Sequence, residues 1–201
     1  GCAPADITLE NGAASGNGRR IMLAELATEK ICGEAGFENH HKHTYAYGSA
    51  AAHVALDPKT GRIELIDYLV IEDVGRIINP LTLHGQVIGA TVQGLGSVFM
   101  EEIVYDENGQ MLTASFMDYQ MPRAHEYPYF RLATREVPTK VNLLGAKGVG
   151  EPTCVSTAAA ILNAIHDAVG VRVTSLPATS EKILMAIKAK QQQQPKQVTA
   201  G

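Results

Sequence analysis

RIELIDYLVIEDVGRIINPLTLHGQVIGATVQGLGSVF, Arg62 to Phe99, carries two periodicities back to back. Leu65 to Ile71 is nearly continuous apolar sequence, which predicts a strand buried on both faces. Gly75 and Pro80 bracket the exit from that strand. Over 81–104 the pattern becomes helical, with Ile88, Val92, Leu95 and Phe99 on one face at i, i+4, i+7 and i+11. Gln86, Gly89, Gln93 and Gly96 fall together on another face. Glycine inside a helix costs about 1 kcal/mol relative to alanine, so something must offset it. Close packing against a neighbouring backbone would do so. So would close approach of a ligand to a face carrying two amides. The spacing leaves both open.

Upstream, YAYGSAAAHVAL (45–56) reads as a strand paired with 62–74 through DPKTG, Asp57 to Gly61, which has proline and glycine at turn positions. Residues 1–44 are the least regular. DITLENGAASGNGRRI holds Asn-Gly and Gly-Asn-Gly turn signals between short apolar runs, predicting a hairpin. MLAELATEKI follows with Leu23, Leu26 and Ala27 at helical spacing. HHKH (His40 to His43) has the look of a metal tract. However, adjacent side chains diverge and no carboxylate or cysteine sits at ligand spacing, so no metal ligand is assigned.

Downstream, YDENGQML predicts a strand with an Asn-Gly turn, SFMDYQMPRAHEYPYF a loop with two prolines, and RLATREV a strand. TCVSTAAAILNAIHDAVG predicts a helix facing a core with Ala158, Ile161, Leu162 and Ile165 and capped by Gly170. SLPATSEKILMAIKAK predicts a last helix after Pro177 with Thr179 as N-cap. The tail QQQQPKQVTAG is polar and low in complexity, and is expected to be disordered. The expected architecture is α+β, an antiparallel hairpin-rich sheet packed against three main helices. Its boundaries are an N-terminal segment over 1–44, a main body over 45–188 and a tail over 189–201.

The 201 residues suit one ordinary domain or two small ones, and 45% hydrophobic content can bury a core. A net charge of −4 makes no electrostatic case for nucleic acid or an acidic membrane. No run of eighteen apolar residues occurs and no signal-peptide pattern opens the chain. Gly1-Cys2-Ala3-Pro4 reads as mid-chain, so a fragment or processed piece is expected. Cys2, Cys32 and Cys154 form no C-x-x-C pair, which argues against a zinc knuckle, an iron–sulfur centre on this chain or a disulfide scaffold. Reduced thiols in a cytoplasmic setting are the simplest reading.

GAKGVGEPTC, Gly145 to Cys154, is the candidate for chemistry. Gly145, Gly148 and Gly150 let backbone come close to a bulky group. A helix starting near Thr153 would aim its free amides and positive dipole end back at the loop, stabilising Glu151 as an anion. Burial against a cofactor would act the other way, and the balance suits a general base. Equally, Glu151 could be a plain helix N-terminal anion beside a tight turn. A Walker loop is excluded because Lys147 is followed by Gly148 rather than Ser or Thr. No G-x-S-x-G or H-E-x-x-H run occurs, and His125 and His166 stand alone.

EDVGRIINPLTLHGQVIGATVQGLGSVFMEEIVYDENGQMLTASFMDYQMP, followed by LGAKGVGEPTCVSTAAAILNAIHDA, resembles the C-terminal part of the molybdopterin-binding (large) subunit of the xanthine dehydrogenase and aldehyde oxidase family, nearest in style to its carbon monoxide dehydrogenase-like branch. The resemblance covers residues 44–188 and, more loosely, the whole chain. It implies a molybdenum–molybdopterin cofactor, in bacteria usually the cytosine dinucleotide form, with no protein ligand to the metal. It implies that Glu151 takes a proton from the hydroxide on the metal during oxidative hydroxylation of an electron-poor carbon. It matches Gln86, after Gly85, to a glutamine on the pterin, and Lys147, Gly148 and Val149 to the loop beside molybdenum. Gln86 and Glu151 are then expected to face one cavity. Iron–sulfur clusters and FAD are expected on other segments or subunits, with the remainder of the molybdenum subunit as a further partner in a hetero-oligomer. The family's subunit is several times longer, so this chain alone should not turn over, and the substrate stays open among purines, aldehydes, N-heterocycles and carbon monoxide. The alternatives are a non-catalytic or truncated relative serving as an assembly domain and, in another class, a nucleotide-binding module using the Gly148 loop.

Overall fold

The computed structural model describes residues 2–27, 32–36, 38 and 43–193. The chain forms two compact units, Gly1–His40 and His41–Gly201. In the first, strands β1 (Thr8–Glu10), β2 (Ala13–Gly16) and β3 (Arg19–Met22) make an antiparallel meander in sequence order. Both connections are two-residue turns, Asn11-Gly12 and Asn17-Gly18, with φ of 51°, 71°, 48° and 72°. Positive φ at both central positions suits the right-handed twist of the flanking strands. The one hairpin expected here is therefore two. The single-turn helix α1 (Leu23–Leu26) follows. Most of the remaining helical spacing, and His40, His41 and Lys42 of the histidine tract, lie outside the described residues.

The second unit is built on the expected hairpin, β4 (Tyr47–Leu56) against β5 (Ile63–Asp73). Asp57 closes its turn, accepting hydrogen bonds from the Lys59 amide (2.9 Å) and the Thr60 hydroxyl (2.8 Å). A strand β6 (Arg131–Thr134) pairs with β5 in parallel, so the sheet is mixed, in the order β4-β5-β6. Parallel pairing needs a crossover, and helix α2 (Pro80–Phe99) lies in it. The YDENGQML strand is reduced to a single bridge, Tyr105 to Met111, around a turn held by Asp106.

β5 is not buried on both faces. Leu65, Tyr68, Val70 and Glu72 are buried, whereas Ile66 and Ile71 are 43% and 44% exposed. A bulge explains the phase: His53 faces Asp67 and Val54 faces Leu65, leaving Ile66 as the extra residue. Leu65 and Tyr68 thereby share the face that α3 covers. On the opposite face Asp67 and Leu69 are half-buried and Ile71 is exposed.

Helix α2 begins at Pro80 because the Asn79 side chain accepts from the amides of Leu81 (3.0 Å) and Thr82 (3.3 Å). It ends at Phe99 rather than at 104. The Gly96 carbonyl takes the amides of both Met100 (2.9 Å) and Glu101 (2.8 Å), and the second, five residues on, closes off the last turn. Its buried face is Leu83, Val87, Thr91, Gly94, Leu95 and Val98. The expected stripe of Ile88, Val92 and Phe99 is half-buried on the flank, with only Leu95 shared. Helices α3 (Glu151–Val169) and α4 (Ser180–Gln193) complete the layer, α3 packing on β4 and α2. Gly170 caps α3 in the left-handed conformation, and the Thr179 hydroxyl accepts from the Lys182 amide, both as expected. Helix α4 runs through Gln193, so residues 189–193 of the expected tail are helical, and 194–201 lie outside the described residues. No helix among the described residues is long and apolar enough to cross a membrane.

Gly94 is where α2 and α3 touch. A Cβ there would meet Thr157 Cβ at 2.7 Å and the Cys154 carbonyl oxygen at 2.9 Å. Gly94→Val is therefore expected to lower stability by about 2 kcal/mol through overpacking, despite the better helix propensity of a non-glycine residue. Thermal unfolding followed by circular dichroism checks this.

Candidate active site

At the end of β5 the chain turns at Gly75, and the loop 145–150 lies against that turn. The Lys147 amide donates to the Val74 carbonyl (2.9 Å) and the Arg76 amide to the Gly145 carbonyl (2.9 Å). Below them sits an ion pair between Lys147 and Asp73 at 2.6 Å, with side chains only 7% and 10% exposed. Asp73 Oδ1 also accepts from the amides of Gly75 (2.9 Å) and Val137 (3.0 Å). Burial alone would push the Asp73 carboxyl up. The Lys147 ammonium and these two amides outweigh it and hold the group below the ordinary carboxylate value. The Tyr47 ring lies 5.2 Å from Lys147 Nζ. The lysine charge is thus committed inside the protein, and the glycine loop is pinned by it.

Beyond the loop, Gly150 is the N-cap of α3 with φ 107° and ψ −66°, a conformation open to glycine. Glu151 is the first residue of the helix and Pro152 the second, so the carboxylate sits within the helix rather than just outside a start at Thr153. Proline fits there because its missing N–H would have no intrahelical partner. Glu151 is exposed. Behind it, Thr153 is fully buried and donates its hydroxyl to Glu72 Oε1.

Two cavities adjoin this loop. One, of about 300 Å³, is lined by Val74, Arg76, Asn79, Leu83, Gln86, Lys147 and Val149. The other, of about 550 Å³, is lined by Tyr45, Gly48, Gly148, Val149, Glu151, Pro152 and Val155. Gln86 and Glu151 therefore face neighbouring cavities that share Val149, not the one cavity expected. They are nonetheless close through the cap: a Cβ on Gly150 would stand 3.3 Å from Gln86 Nε2.

The glycines of α2 divide. Gly94 and Gly96 pack against α3 and against Glu101 and Pro122, so close packing accounts for them. Gly85 and Gly89 are exposed, and a Cβ on either would meet nothing within 4 Å. Packing among the described residues does not account for those two. With Gln86 and Gln93 beside them, they leave a flat, amide-bearing helix face bare, which fits the approach of a broad polar group such as a pterin. Among the described residues no group of three or more His, Cys, Asp or Glu side chains is arranged to hold a metal ion. Sequence reasoning missed Glu72, Asp73, Tyr47 and Thr153. The only signal was an acidic pair closing an apolar strand, which reads equally well as a solvated strand end.

Residues 1–128 match the family model of the molybdopterin cofactor-binding domain. The chain is 37% identical over 90% of its length to the gamma subunit of the 6-hydroxypseudooxynicotine dehydrogenase complex of Paenarthrobacter nicotinovorans, covering 25% of that protein. It is 38% identical over 91% of its length to the nicotine 6-hydroxylase large subunit of the same organism, again covering 25% of it. The crystal structure of quinoline 2-oxidoreductase from Pseudomonas putida 86 superposes with a TM-score of 0.82 at 29% identity, over 96% of this chain and 26% of that one. The chain belongs to the molybdopterin cofactor-binding domain family, in the molybdopterin-binding subunits of the xanthine dehydrogenase type. It spans about a quarter of the length of these relatives. The family match ends before Glu151, whereas the match to the gamma subunit takes in 90% of the chain.

Proposed function

We propose that the chain is the C-terminal portion of a molybdenum hydroxylase catalytic subunit and supplies one wall of the cofactor site and its general base. The observation that carries this is the closeness of the Gln86 amide to Gly150, where an added Cβ would stand 3.3 Å from Nε2, beside the turn bearing Glu151 and with the exposed Gly85 and Gly89 on the same helix. The cofactor, when bound, supplies the redox chemistry by which an electron-poor carbon gains an oxygen derived from water. Gln86 offers its amide to the pterin edge, and Gly85 leaves room for that edge to approach. Gly148 and Val149, which line the Glu151 cavity, would border the cofactor there. Lys147 contributes by anchoring the loop through Asp73, since its ammonium is already paired. Glu151, at the positive end of α3, accepts a proton at its carboxylate. Substrates of the nitrogen-heterocycle class fit the nicotine- and quinoline-directed relatives best. The cytosine dinucleotide form of the cofactor, a cytoplasmic setting and partner subunits or domains carrying iron–sulfur clusters and FAD complete the reading. Elemental and pterin analysis of the purified intact enzyme tests it. Molybdenum and a pterin in stoichiometric amounts are expected, and a metal-free, pterin-free protein overturns it.

A further inference from the structure

Glu72 and Asp73 are neighbours at the end of β5, and strand alternation sends their side chains to opposite faces. Asp73 holds Lys147, four residues before Glu151. Glu72 holds Thr153, two residues after it. One strand end thus grips the Glu151-bearing segment on both sides, while Gly148 and Gly150 between the two grips impose no side chain of their own.

The Glu72 grip is unusual because it costs the fold. Glu72 is 1% exposed, one oxygen accepts from Thr153, and the other, Oε2, is buried with no hydrogen-bond partner among the described residues. An orphaned buried oxygen is rare and calls for a reason. An apolar side chain of similar size would fill the place at lower cost. Gly48 stands opposite on β4, and a Cβ there would be in ordinary van der Waals contact with Glu72 Cγ at 3.5 Å. Gly48 also lines the Glu151 cavity, so the buried carboxyl sits directly behind that wall. Thr153 is tied in turn to a second bond from β5. The Thr157 hydroxyl donates to the Thr153 carbonyl (2.9 Å), which leaves Tyr68 to donate to Thr157 Oγ1 (3.0 Å). Burial pushes the Glu72 carboxyl up, with the Thr153 bond opposing.

We propose that Glu72 is a positioning residue for the site. Through Thr153 it fixes where α3 begins, and hence where the Glu151 carboxylate points, while Asp73 fixes the loop on the other side. This rests on the reading of Glu151 as general base.

The test uses the intact enzyme. Glu72→Leu and Thr153→Val are each expected to lower kcat about tenfold with KM and molybdenum content unchanged, a misplacement effect. Hydrogen exchange should quicken over residues 151–157 and stay unchanged in α2. Thr153→Ser, which keeps the hydroxyl, should recover most of the rate. The double variant should be no slower than the worse single one, because both remove the same bond. Unchanged kcat and unchanged exchange at the start of α3 would overturn the proposal. So would a fall in kcat accompanied by quickened exchange throughout the protein, the mark of a general loss of structure. Should Glu72→Leu fail to fold, the near-isosteric Thr153→Val alone decides, by the same rate and exchange readings. Full turnover in Glu151→Gln would instead overturn the base reading, and the exchange measurement would still decide whether Glu72 sets the helix start.

Discussion

Glu151→Gln in the intact enzyme is expected to lower kcat by about 10²- to 10⁴-fold while molybdenum and pterin stay bound. The amide has the shape of the carboxyl but cannot accept a proton at working pH. Nothing structural depends on the acid. Its side chain is exposed and makes no hydrogen bond or ion pair among the described residues. The first backbone bond of α3, from the Cys154 amide to the Gly150 carbonyl (3.0 Å), does not involve it. Replacing an anion at a helix start costs only about 0.3–1 kcal/mol. A large kinetic loss with nearly unchanged thermal stability is the signature sought. Turnover near that of the parent would remove Glu151 from the role of base.

Asp73→Asn carries the largest expected loss of stability, about 3–5 kcal/mol, because it strands the buried Lys147 ammonium. Asparagine keeps an acceptor for the Gly75 and Val137 amides, so the variant isolates the ion pair. Adding Lys147→Met should recover most of the loss, since a pair replaced by neutral side chains leaves no uncompensated charge. The pH dependence follows from the sign of each shift. The Asp73 carboxyl lies below its ordinary 3.8 in the fold, so its contribution is complete above that pH and is lost as pH falls through the folded value. Glu72 lies above its ordinary 4.5, so it costs stability as pH rises from 4.5 through its folded value and costs nothing below. Denaturant unfolding across pH should show both limbs. Asp73→Asn should flatten only the acid one and Glu72→Gln only the other. An acid limb unchanged in Asp73→Asn would show that the pair is not its source.

Much of the fold was legible because its signals are local. The Asp57–Gly61 turn, the strand exit at Gly75 and Pro80, the Asn-Gly turns and Gly170 each act within a few residues, and each sits where the sequence put it. The buried face of α2 was misjudged for a physical reason. Thr91 satisfies its hydroxyl on the Val87 carbonyl (3.0 Å) and so buries like an apolar residue, and Gly94 has no side chain to register as buried. The open face of β5 depends on what packs over it, which periodicity does not carry. At the site, Gln86 and the 145–151 run are named by resemblance to a family and not by local pattern. The Asp73–Lys147 and Glu72–Thr153 bonds were not legible, because they join residues 74 and 81 positions apart and exist only once the strand register and helix placement are set.

Gly94 and Gly85 stand on opposite sides of α2. They are nine residues apart, about 13.5 Å along the axis, so the helix is bare towards α3 near its C-terminal half and bare on the other side near its start. At Gly94 the approach of α3 is limited by the main chain of α2 and not by a rotamer, so thermal loosening of side chains on α2 leaves the distance between the two helices there unaltered.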